Sequence, residues 1–137
     1  MWWWYALLSA LFAALTAIFA KIGIRDVDTN LATAIRTVII LVIAWAIVLF
    51  KGSSTNITQL TKVNWVFLIL SGCATGLSWI FYFKALQLGE VSQVAPVDKL
   101  SVALAIVLSV IFLGEPITWK NVIGAVLIIG GTFVLIF

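Results

Sequence analysis

The chain has 137 residues, of which 64% are hydrophobic and 9% charged, with a formal net charge of +3. A soluble domain carries about 25% charged residues, so this chain lacks the polar surface to face water and reads as an all-α integral membrane protein. It has no His and a single cysteine, Cys73, which excludes an intrachain disulfide, His-based acid–base chemistry and zinc sites of the usual His/Cys kinds.

A helix rises about 1.5 Å per residue, so about 20 apolar residues cross the hydrocarbon core. Five stretches of that length follow one another: Trp2 to Ile22, Leu31 to Phe50, Val63 to Leu86, Val94 to Leu113 and Trp119 to Phe137. The first begins Met1-Trp2-Trp3-Trp4-Tyr5, without the basic start of a secretory signal, and is expected to stay as a span. Its Ala6, Ala10, Ala13, Ala17 and Ala20 recur at helical spacing, which suits close backbone approach in lipid. The connections are short and hold the charges and turn formers: Arg25-Asp26-Val27-Asp28, Lys51-Gly52-Ser53-Ser54, Gly89-Glu90 and Gly114-Glu115-Pro116. The expectation is one five-helix transmembrane domain over residues 1–137.

Charges inside the second and fourth spans are not boundary errors. Only 14 uncharged residues separate Arg36 from Lys51, about 21 Å of helix, too short for a core of about 30 Å. Only 15 separate Lys99 from Glu115. Arg36, Asp98 and Lys99 are therefore drawn into the membrane region. The bland reading has the two cations snorkelling to the headgroups and Asp98 paired with a basic neighbour. The functional reading has them lining a wet or ligand-binding cavity. Polar stripes support it: Ser71, Thr75, Trp79 and Tyr82 on the third span, Asp98, Ser101, Ala105 and Ser109 on the fourth. Helix–helix hydrogen bonding is the structural alternative for both stripes. Pro96 lacks an N–H, and a helix interrupted there would resemble the broken helices at transporter binding sites.

Small residues mark packing or dimer faces: Gly72 and Gly76 on the third span, Gly124 and Gly131 on the fifth. With five spans the termini lie on opposite sides. The loop charges then divide three against three, Lys51, Lys62 and Lys120 against Lys21, Arg25 and Lys84. The positive-inside rule finds no excess to act on, a hint that one chain inserts both ways up. No basic run offers a nucleic-acid footprint. No nucleophile–base pair, phosphate loop or metal cluster is present, so no catalytic residue, metal or cofactor is expected. Glu115 reads as a loop-stabilising carboxylate.

Two stretches resemble EamA domains of the drug/metabolite transporter superfamily. Tyr82-Phe83-Lys84-Ala85-Leu86-Gln87-Leu88-Gly89-Glu90-Val91-Ser92-Gln93-Val94-Ala95-Pro96 is similar to the junction of their third and fourth helices. Phe112-Leu113-Gly114-Glu115-Pro116-Ile117-Thr118, followed by Gly124 to Gly131, is similar to their end. Arg36 matches an arginine common at that place. Ser101 departs from the pattern, since many EamA domains carry a second proline there. Most members join two inverted five-helix domains, and this chain resembles the small single-domain branch. The resemblance implies a secondary transporter of a small organic metabolite working by alternating access as an antiparallel homodimer, with a parallel dimer or a heterodimer with an oppositely oriented paralogue as the competing assemblies. It also implies a prokaryotic inner membrane. Arg36 and Lys99 would attract an anionic group, Asp98 would balance them or take up a proton, and Trp79 and Tyr82 would form an aromatic wall, with Thr75 and Ser101 nearby. The competing readings are an accessory membrane subunit and a flippase component for lipid-linked substrates.

Overall fold

A computed structural model describes the backbone of residues 1–137 and the side chains of all but residues 54–56. The side chain of Ser54, expected in the second connection, thus lies outside the described residues. The described chain is helical: α1 (Trp2–Gly23), α2 (Thr29–Phe50), a short 3-10 helix (Ser53–Gln59), α3 (Lys62–Leu88), α4 (Val91–Asp98), α5 (Leu100–Leu113) and α6 (Trp119–Ile136). Counting α4 and α5 as one interrupted span, Val91–Leu113, five of these stretches are long and apolar enough to cross a membrane. Helices are the form such segments must take, because lipid offers no partner for an unpaired backbone N–H or C=O.

Local chemistry places the helix ends. Asp28 caps α2, its Oδ1 accepting from the N–H groups of Asn30 and Leu31 at 3.0 and 2.9 Å. Thr61 and Asn64 cap the start of α3 reciprocally, the N–H of Thr61 donating to Asn64 Oδ1 at 3.1 Å and that of Asn64 to Thr61 Oγ1 at 3.2 Å. Two orphan donors are satisfied together, as in a capping box. Gly114 stops α5 at φ 66°, a left-handed conformation open to glycine without steric cost. The Glu115 N–H then closes the end on the Ser109 carbonyl at 3.4 Å. Thr118 opens α6 by accepting from the Asn121 N–H at 3.2 Å.

The chain divides into two compact units, Met1–Phe19 with Leu88–Phe137, and Ala20–Gln87. In the first, α6 packs on α4 and α5. Thr132, 4% exposed, shares its single hydroxyl proton between Ile128 O of its own helix at 2.8 Å and the Pro96 carbonyl at 3.2 Å. In the second, Phe83 and Leu86 of α3 are fully buried, with Ala20, Ile24, Thr29 and Thr33. The α1–α2 connection is clamped to the end of α3. Gln87 Nε2 donates to the carbonyls of Val27 and Ile24 at 2.9 and 3.3 Å, and Lys21 Nζ donates to Leu86 O at 2.5 Å.

Little else is covered. Only 6–11% of the most apolar stretch of each span is buried within the chain. Most of the apolar surface therefore requires lipid or another chain against it, and the protein is a multi-pass membrane protein.

Candidate functional site

Arg36 sits two turns into α2, and the neighbouring α3 presents Trp79 and Phe83 one turn apart. The Arg36 guanidinium carbon lies 4.2 Å from the Phe83 ring centre and 5.6 Å from that of Trp79. Both distances fall within the range of cation–π attraction, worth about 0.5–2 kcal/mol according to desolvation. A guanidinium has five N–H donors, and ring faces do not satisfy them as carboxylates do. Arg36 Nη1 is buried and makes no hydrogen bond. The ion pair found among the described residues is between other groups. Arg36 is thus a cation in an apolar span, oriented by aromatic faces and lacking a carboxylate.

The two residues expected to form an aromatic wall are placed differently. Trp79 is at the cation. Tyr82 packs its ring on Phe83 at 5.8 Å between centres, while Phe83 itself stands against the guanidinium. Phe83 extends the Ser71, Thr75, Trp79 stripe by a further step of four, and that step was its one sequence signal. Thr75 lies a turn before Trp79, and its exposed hydroxyl donates to Ser71 O at 2.9 Å, the local back-bonding open to any helical threonine.

Asp98, Lys99 and Ser101 belong to the other unit. Lys99 Nζ lies 3.1 Å from Asp98 Oδ2, so the two charges neutralise each other. Ser101 is exposed. The helix does break beside Pro96, three residues on, at Lys99. The N–H of Lys99 donates to Pro96 O at 3.0 Å and the N–H of Val102 to Lys99 O at 3.0 Å, the tight i to i+3 bonds of a 3-10 turn. The Pro96 carbonyl is occupied by Lys99 N–H and by Thr132. Thr132 had no marker in the sequence, being one hydroxyl in an apolar helix.

A Cβ added at Gly72, Gly76, Gly124 or Gly131 would meet nothing within 4 Å. The space a side chain would fill at each of these four positions is open among the described residues.

Residues 1–137 match the profile of a family described as the EamA-like transporter family. An uncharacterized transporter encoded in a cobO 3′ region of Sinorhizobium is 46% identical over 134 residues, covering 98% of this chain and 95% of the relative. An uncharacterized protein of Methanocaldococcus jannaschii is 31% identical over 129 residues, 94% of this chain and 91% of the relative. An uncharacterized transporter of Bacillus subtilis is 27% identical over 128 residues, 93% of this chain but 40% of the relative. No solved structure matches the chain.

Proposed function

The chain belongs to the EamA-like transporter family, and from that premise we propose that it carries a small organic anion across a prokaryotic inner membrane by alternating access. The observation behind the choice of substrate charge is Arg36 Nη1, buried without a partner beside Trp79 and Phe83. A carboxylate entering there would complete the guanidinium's hydrogen bonds in a geometry Arg favours. The two rings would cover an apolar or planar portion of the solute. The rival reading, an accessory subunit, calls for buried polar groups already satisfied within the bundle, and Arg36 departs from that. Flipping of lipid-linked substrates would require the same cation to be reached from the side of the bilayer.

The transporting unit in this reading is an antiparallel homodimer of single five-helix domains. Its support is the three-against-three division of loop charges, the uncovered apolar spans and the open space at Gly72, Gly76, Gly124 and Gly131. The Bacillus relative adds to it, because the matched stretch is 40% of that protein, which leaves room for a second copy in one chain.

Proteoliposomes holding the chain test the reading. They should accumulate members of a panel of small carboxylates in exchange for internal carboxylate, and leave the matching amines outside. Uptake of the amines in preference to the acids would sink the anion assignment. Cysteines placed singly at the N-terminus and at Phe137 in a Cys73→Ala background should each label from both sides of intact cells. Labelling from one side only would remove the antiparallel homodimer.

A further inference from the structure

Where α1 ends, a cavity of about 390 Å³ is lined by Lys21, Ile24, Arg25, Asp26 and Gln87. Its walls are built rather than incidental. Gln87 Nε2 holds the connection through Ile24 O and Val27 O, and Gln87 Oε1 accepts from Lys84 Nζ at 3.3 Å. Lys21 Nζ is drawn to the α3 end by Leu86 O, where helix carbonyls favour a cation. Ile24, 3% exposed, closes the floor. Two cations and one carboxylate thus line the cavity, with a third cation, Lys84, one hydrogen bond away. Arg25 is exposed and has no hydrogen-bond or ion-pair partner among the described residues. This surplus of positive charge lies at a span end, where headgroups meet the protein.

We propose that this cavity holds a phosphate-bearing anion at the membrane boundary, with Arg25 as the principal contact. The planar fork of Arg25 matches two phosphate oxygens, and basic pockets between transmembrane helices hold anionic headgroups in this way. Exposed apolar side chains stand on the same two helices, Ile22 on α1 and Phe81 on α3, and offer an acyl chain an apolar surface. A soluble phosphate compound offers the same anionic group without that tail. The site is separate from Arg36 and does not depend on what the protein transports.

The test is native mass spectrometry of the full chain released from nonionic detergent, titrated with short-chain phosphatidylglycerol or phosphatidylcholine. Wild type should bind the glycerol lipid more tightly than the choline lipid. Arg25→Gln should weaken phosphatidylglycerol binding about fivefold, the effect of one cation near a charged headgroup. Lys51→Gln, at a different loop, should change nothing. Inorganic phosphate at millimolar concentration separates the sources: no displacement assigns the cavity to a lipid headgroup, and displacement assigns it to a soluble phosphate. Equal affinity of wild type and Arg25→Gln for phosphatidylglycerol, or an equal loss in Lys51→Gln, overturns the proposal.

Discussion

Each unit holds charge within a membrane span, and the two treat it in opposite ways. Asp98 and Lys99 neutralise each other at 3.1 Å. Arg36 stands against two rings with a buried, unpaired Nη1. A charge at the centre of a span costs about 2.5–3.5 kcal/mol on insertion scales. An adjacent pair offsets much of that cost internally and asks nothing of a ligand. A lone guanidinium recovers only the cation–π part and stays short of hydrogen bonds. The contrast is between a charge paired within its own span and one whose Nη1 has no hydrogen-bond partner, and the proposed function rests on the second.

The largest expected effect comes from removing the lone charge. Arg36→Leu should lower carboxylate uptake about ten- to a hundredfold, the scale of one lost hydrogen bond to a charged group, measured as initial rates in proteoliposomes with equal protein content. Breaking the pair should act on stability instead. Asp98→Asn leaves Lys99 uncompensated and should lower the unfolding free energy by up to about 2.5 kcal/mol, and the double change with Lys99→Gln should recover most of it. If Asp98→Asn instead abolishes uptake with stability intact, the pair is functional and the contrast fails. Phe83→Leu sharpens the account of Arg36 by removing the nearer ring. It should cost about 1 kcal/mol of carboxylate affinity and stability together. The smallest effect is expected at Thr132→Val, which loses the bond to Pro96 O at a cost of about 0.6 kcal/mol, read as a small shift in denaturant midpoint.

Much of this organisation was legible before the structure. Long apolar runs between charged connections mark spans strongly, and helix ends fell within three residues of expectation because Asp28, Gly114 and Thr118 act locally. Arg36 stood out by a length argument alone. Phe83 did not, because an aromatic residue among apolar ones has the same pattern whether it faces lipid or a guanidinium. The 3-10 helix at Ser53–Gln59 was hidden for a related reason: its Ser, Thr, Asn and Gln residues are also those of an irregular loop. Pro96 announced a break, but the tightened turn centres on Lys99, because the carbonyl of Pro96 closes a bond three residues ahead. The clamp of Gln87 on Ile24 and Val27 joins residues 60 or more positions apart, beyond the reach of spacing rules.

The most direct test of the central claim is the thermal stability of wild type and Arg36→Leu in the same detergent, with and without a transported carboxylate. If Arg36 awaits a ligand, Arg36→Leu is more stable than wild type by about 1–3 kcal/mol, the cost of a buried unsatisfied donor, and the carboxylate stabilises only wild type. A less stable Arg36→Leu that the carboxylate still stabilises would contradict the account and make Arg36 a structural residue.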